Sequence, residues 1–173
     1  MRFFYFLGVF ALLSCGDKTP EPIDLRHSIV VANGGENSLS ILDPTALSER
    51  QRLYLKAPQA TYLHHLDLRK DGQKLALAFP EYDFSGGHDG LHNLEVSGYV
   101  SLFDLATQNI ERTIKVPFAN HNAIYSPNGK EVWTGLVSHS GRILVHSADT
   151  GELLSTITVG ADPHEIVFAG EGK

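Results

Sequence analysis

The feature that most constrains the fold of this 173-residue chain is an internal repeat. Three segments, residues 64–74, 121–130 and 164–173, align on a histidine that stands eight residues before a glycine. The histidines are 57 and 43 residues apart. Asp71-Gly72 and Asn128-Gly129 are dipeptides typical of hairpin turns in which both residues have positive φ. A repeat of this length indicates a chain built from similar small units, such as a solenoid or a propeller.

Each unit continues with the same order of short apolar runs, which predict β-strands. The second strands are predicted at 29–32, 75–79 and 132–136, the third at 39–42, 99–103 and 143–146, and the fourth at 52–55, 111–116 and 153–159. The first strands begin near the three histidines, and the last of them covers residues 164–169. Four strands in about 45 residues is the period of a propeller blade. We therefore predict an all-β fold with about three blades of four antiparallel strands.

The strand residues resemble the YVTN β-propeller repeat. The run from Ile29 to Asp43 is similar to the Y-V-T-N and N-T-V-S-V-I-D pattern of that family, with Val30 in place of the tyrosine and Ala32 in place of the threonine. Residues 159–164 and 126–129 are similar to its V-G-x-x-P-H and S-P-D-G signatures. The resemblance covers residues 28–173 and implies a propeller, similar in architecture to the haem-d1 domain of nitrite reductase. Surface-layer and envelope proteins are among the members of this family.

The amino-terminal residues predict export and attachment to a membrane. A basic Arg2 and an apolar run over residues 3–13 fit a secretory signal, since a helix needs about 20 residues to cross the membrane. Leu12-Leu13-Ser14-Cys15 resembles the lipobox of bacterial lipoproteins, which has a smaller residue or valine in place of Leu13. The resemblance implies a signal peptide over 1–14 and a lipidated Cys15 at the start of a tether, 15–26. The location is then the cell envelope, facing the periplasm or the cell surface. The alternative is a plain signal peptide followed by a stray cysteine.

The folded domain, residues 27–173, has too few strands for a closed ring. About three blades are predicted, whereas propellers close with four to eight. We expect the domain to be part of a larger ring, of about seven blades by resemblance, in a longer chain. The alternative is that chains of three blades associate to close a ring.

Seven of the nine histidines are predicted to lie on one face of the blades. By resemblance, the innermost strands begin at the same face as the loops between second and third strands. The strand starts carry His64, His65, His121 and His164, the insert over residues 80–97 carries His88 and His92, and the matching loop of the third unit carries His139.

Two interpretations of these histidines stay open. Imidazole is a common ligand of copper, zinc and iron, and nitrous oxide reductase, another propeller, is similar in placing histidines around copper. The first interpretation is a copper or haem site built from His64, His65, His121 and His164, completed by His88 or His92. The second is that the rings satisfy buried polar groups or contact another kind of ligand.

Composition narrows the classes of function. An excess of 20 acidic over 14 basic residues argues against a nucleic-acid partner. The single cysteine excludes a disulfide framework, a cysteine-based zinc site and a covalent c-type haem. No nucleophile-elbow, dinucleotide-binding or P-loop motif occurs, so no catalytic residue is assigned and an enzymatic role stays open. The first hypothesis is a non-enzymatic scaffold that binds a protein, glycan or small molecule on its loop-rich face. The second is a metal- or haem-binding, redox-linked propeller.

Overall fold

The computed structural model describes residue 23 and residues 25–57, 62–87 and 96–170. Cys15, His88 and His92 lie outside the described residues, as does nearly all of the predicted signal peptide and tether. Within the described ranges, no helix combines the length and the apolar character that crossing a membrane requires.

Three antiparallel sheets follow one another along the chain. Sheet 1 contains β1 (Ile29–Asn33), β2 (Ser38–Asp43) and β3 (Ser48–Tyr54). Sheet 2 contains β4 (His65–Leu68), β5 (Lys74–Pro80), β6 (Gly98–Asp104) and β7 (Asn109–Val116). Sheet 3 contains β8 (Ile124–Tyr125), β9 (Glu131–Leu136), β10 (Arg142–Ser147) and β11 (Leu153–Thr158). Two 3-10 turns cover Gly34–Glu36 and Phe84–Gly86.

Within each sheet, every strand is hydrogen-bonded to the next one in the chain, so each sheet is a simple meander. The predicted second, third and fourth strands of all three units are confirmed. The apolar runs of β5, β6 and β9 are largely buried, whereas the fourth strands β3 and β11 are mostly exposed. Four strands per unit are present in sheets 2 and 3, and three in sheet 1.

The core lies between successive sheets. On β5, Leu75, Leu77 and Phe79 belong to an apolar cluster shared with sheet 1, and Ala76 and Ala78 belong to a cluster shared with sheet 3. Consecutive residues of a strand point to opposite faces. After Lys74, every residue of β5 is apolar and buried, because both faces of the strand are covered.

The turns between first and second strands differ from the prediction. Gly72 and Gly129 have φ of +72° and +70°, but Asp71 and Asn128 are not among the residues with positive φ. The N–H of Gly72 donates to the carbonyl of Arg69 at 2.8 Å, and that of Gly129 bonds in the same way in the third unit. The expectation of two positive-φ residues was wrong, because a longer loop built on a type I turn needs the left-handed conformation only at its glycine.

The predicted strand over residues 164–169 is also wrong, since these residues form no strand pairing in the part of the chain described. They still pack on sheet 3, where Phe168 meets Trp133 edge-on with ring centroids 5.3 Å apart. A strand is defined by its hydrogen-bonded neighbour, and no described strand follows this segment to provide one. Residues 163–169 therefore form an extended segment lying on sheet 3.

Candidate functional site

Three histidines from the starts of successive repeat units meet at one end of the sheets. The ring centroids of His64 and His121 are 5.1 Å apart, and those of His121 and His164 are 3.9 Å apart with nearly parallel planes. His121 is buried, His64 is half-buried and His164 is exposed. These three side chains, with Phe84, are called the histidine cluster.

His64 is held by the main chain of the next unit. Its ring Nδ1 lies 2.8 Å from the carbonyl oxygen of His121 and donates a hydrogen bond to it. The donated proton defines the tautomer, because a neutral imidazole then carries its lone pair on Nε2.

Phe84 reaches the cluster from the insert between β5 and β6. Its ring centroid lies 4.4 Å from that of His64 and 5.7 Å from that of His121, and Tyr62 and Tyr82 pack on its other sides. A 3-10 turn places it, because the carboxylate of Asp83 accepts the N–H of Ser85. That hydrogen bond lowers the pKa of Asp83. Phe84 therefore adds an aromatic side chain to the three imidazoles of the cluster.

A buried amide positions His164. The side chain of Asn122 is fully buried; it donates to the carbonyl oxygen of His164 at 3.1 Å and accepts the N–H of Gly135 at 3.2 Å. The main-chain oxygen of Asn122 accepts the hydroxyl of Thr134 at 2.5 Å. Asn122 thus ties the segment that carries His164 to sheet 3.

His65 lies apart from the histidine cluster. As the residue after His64 in an extended chain, it points the other way. It faces a cavity of about 540 Å³ between the inner strands, with a lining that includes His65, Asp67, Arg69, Tyr125, Glu165 and Phe168. Its Nε2 is 3.8 Å from a carboxylate oxygen of Glu165.

The cavity wall is joined across two sheets. A carboxylate oxygen of Asp67 accepts the main-chain N–H of Tyr125 at 2.9 Å. Burial raises the pKa of the Tyr125 hydroxyl well above its ordinary value. The phenol therefore stays neutral at physiological pH.

Four of the six predicted metal ligands lie within the described residues, and three of them are in contact. Their donors are imidazoles, which suit copper and zinc, and a ring that donates from Nδ1 is oriented as metal-bound histidines commonly are. In the described ranges, however, no three histidine, cysteine, aspartate or glutamate side chains form a group that could hold a metal ion. His139, which was predicted on the same face but not as a metal ligand, has its Nδ1 3.7 Å from a carboxylate oxygen of Asp162. The metal assignment of His64, His65, His121, His164, His88 and His92 stays a prediction.

Comparison with known proteins identifies the fold. No protein-family model and no curated protein sequence matches the chain. Among solved structures, the hydrazine synthase of Kuenenia stuttgartiensis is similar, with a TM-score of 0.61 and 16% identity over 91% of this chain. The match spans 41% of that chain, which contains β-propeller domains. At this identity the similarity shows the fold alone. The three sheets are blades of a β-propeller-like fold.

The propeller arrangement explains which site residues the repeat predicted and which it missed. Equivalent positions of successive blades lie at the same end, so His64, His121 and His164 could be placed together from their shared spacing. Phe84 and Asn122 were missed because neither recurs in the other units. The signals that could have found them are the Asp-Phe-Ser sequence, typical of a capped turn, and the polar residue directly after a strand-start histidine.

Proposed function

We propose that this chain is a cell-envelope lipoprotein whose YVTN-type propeller blades form a non-enzymatic binding scaffold. The histidine cluster is its ligand-contacting surface. The observation that carries this proposal is the meeting of one histidine from each of three successive units beside Phe84, at ring-centroid distances between 3.9 and 5.7 Å.

The chemistry of the cluster indicates what it would bind. Stacked imidazoles and a phenylalanine offer flat, weakly polar faces that pack well against planar or ring-shaped groups, such as aromatic side chains or sugars. The exposed His164 gives such a group access from solvent. The partner is then a protein, a glycan or a small molecule of the envelope.

Photo-cross-linking in cells tests the binding role. A benzophenone amino acid replaces His164 in one variant and Leu154 on the outer strand β11, which is 55% exposed, in a control. We expect a discrete adduct at position 164 that excess unaltered chain suppresses, and no such adduct at position 154. Equal adducts at both positions, or none at 164, would contradict a ligand surface at the cluster.

Membrane attachment has a separate test at Cys15. Labelled palmitate is expected to enter the unaltered chain and to be absent from Cys15→Ser, which should leave the membrane fraction after high-salt washing. Labelling and fractionation that do not change in the variant would favour the plain signal peptide. This outcome would leave the binding role of the folded domain unaffected.

A second candidate is a copper- or haem-binding protein that uses His64, His121 and His164. The hydrogen bond from His64 Nδ1 to His121 favours it, because it directs the lone pair of His64 to Nε2. Metal analysis and titration with copper, zinc and haem are the tests. We expect stoichiometric binding that His121→Ala and His164→Ala remove and that His139→Ala retains. Purified chain that takes up none of these, or the same uptake in all variants, would exclude this candidate.

A further inference from the structure

The chain enters the folded domain at the end of the sheets opposite the histidine cluster. The N–H of Ile23 donates to the carbonyl oxygen of Leu105 at 3.3 Å, and Ile23 and Leu25 pack on the apolar cluster between sheets 1 and 2. Leu105 directly follows β6, and its N–H donates to the carbonyl oxygen of Gln73, directly before β5. These contacts determine where the preceding residues join the domain.

The length of β5 separates this entry point from the histidine cluster. His65 pairs with Ala78 on β5, so His64 lies level with residue 79. The hydrogen bond of Leu105 places it level with residue 73. Residues 73 and 79 of an extended chain are about 20 Å apart. The entry point and the cluster therefore lie at opposite ends of sheet 2.

The end at which Leu105 lies is called the turn end, because the described turns from first to second and from third to fourth strands are there. These turns cover residues 44–47, 69–73, 105–108, 126–130 and 148–152. Leu47 is 87% exposed, the largest fraction among the large apolar side chains described. It has a φ of +52°, and the equivalent positions of sheets 2 and 3, which also have positive φ, hold Gln108 and Gly151. An apolar side chain is thus exposed at the end where the chain enters.

We propose that the turn end of the domain faces the membrane and that the histidine cluster faces away from it. This inference rests on the proposed lipid attachment at Cys15. From Cys15 to Ile23 the chain spans at most about 29 Å, since each residue extends it by no more than about 3.6 Å. A lipid at Cys15 therefore holds the turn end near the lipid headgroups.

The opposite orientation would need nearly the whole length of this tether. If the histidine end lay on the membrane, Ile23 would stand above the surface by the length of β5, about 20 Å, and by the loops of the histidine end as well. The chain from Cys15 would then have to run almost straight along the domain, which costs conformational entropy. No such cost arises when the turn end faces the membrane. The partner of the histidine cluster is then one that approaches from the aqueous compartment, and not a lipid headgroup of the anchoring membrane.

Energy transfer measures this orientation in the full chain, purified from membranes in a mild detergent. The chain is reconstituted in vesicles of phosphatidylethanolamine and phosphatidylglycerol that contain a rhodamine-labelled headgroup as the acceptor. A thiol-reactive donor dye is attached at Thr150→Cys in one variant and at Ser140→Cys in another; both positions are exposed and lie at opposite ends of β10. Thr107→Cys and Ser85→Cys repeat the comparison on sheet 2. The unaltered chain sets the background, because a lipid on the sulfur of Cys15 leaves no thiol for the dye.

We expect transfer to be several-fold more efficient from position 150 than from position 140, and from 107 than from 85, because transfer falls steeply with distance from the acceptor. Equal or reversed efficiencies in chains that float with the vesicles would overturn the orientation and leave the lipid attachment intact. Chains that do not float, and whose Cys15 takes up the dye, would contradict the lipid attachment and the orientation with it.

Discussion

His64 and His121 are joined across the boundary between sheets 2 and 3 by a hydrogen bond from a ring to the main chain. The Nδ1 of His64 and the carbonyl oxygen of His121 are 2.8 Å apart, and the two rings are also in contact. The residue that begins one blade therefore fastens the beginning of the next. The same hydrogen bond orients the ring of His64, which belongs to the proposed ligand-contacting surface.

His64→Phe should lower the free energy of unfolding by about 1 kcal/mol, because the ring volume is kept while the His121 carbonyl loses its donor. His64→Asn is the matched control, since its amide nitrogen can take the place of Nδ1 and restore most of the loss. Urea unfolding measures both variants. Equal losses in the two would show that packing against Phe84, and not the hydrogen bond, stabilises this boundary.

Gly135→Ala should displace the segment that carries His164. A Cβ at Gly135 would lie 2.7 Å from the carbonyl oxygen of Pro163, which is closer than real Cβ contacts allow. The loss of stability is expected to be about 1–3 kcal/mol, as for other overpacked sites. NMR should show the His164 ring signals losing the ring-current shift from His121. Gly160→Ala is the control, because nothing lies within 4 Å of its added Cβ, and the same spectral change there would contradict the contact.

Asn122→Ala should cost about 1–3 kcal/mol of stability, since the buried N–H of Gly135 loses its acceptor. It should also alter the His164 signals, because the hydrogen bond to the His164 carbonyl is lost. Asn120→Ala is a matched comparison, because this buried amide donates to the main-chain oxygen of Tyr99 and to the hydroxyl of Thr134, and neither partner belongs to the segment of residues 163–169. It should destabilise the protein and leave the His164 signals in place. Identical spectra for the two variants would refute the positioning role of Asn122.

His146 should make stability depend on pH. Burial lowers its pKa below the ordinary value of 6.5 although a hydrogen bond with the carbonyl of Gly151 opposes the shift. Between the folded and unfolded pKa values the unfolded chain binds more protons, so this contribution to stability is complete above about pH 6.5 and is lost as the pH falls through that range.

His146→Phe should flatten that dependence. Phenylalanine already occupies the equivalent position of sheet 2, where Phe103 is buried. Urea unfolding at pH 5 and pH 7.5 should show a smaller difference for this variant than for the unaltered chain. His27→Gln, at an exposed position, serves as the control. If the difference in stability between pH 5 and pH 7.5 persists in His146→Phe, another titratable group causes it.

Much of the fold could be predicted from local patterns, because a repeated order of apolar runs and turns has few structural solutions. Short runs such as those within β5 and β9 became strands with ends within a residue or two of the prediction. The exception is residues 164–169, whose apolar residues predict a strand but which pair with no strand in the described part of the chain, because strand pairing is not a local property. Likewise, the Asp71-Gly72 dipeptide indicated a turn correctly but not its length, which depends on how the flanking strands pair.

The amino-acid sequence by itself determined the repeat, the strands and the shared end at which His64, His121 and His164 stand, because equal spacing within a repeat places equivalent residues at equivalent points. Only the tertiary structure decided that Phe84 and Asn122 join that group and that His65 faces a cavity. These outcomes depend on how one sheet packs on the next. Such contacts join residues far apart in the chain, and their spacing along it carries no record of them.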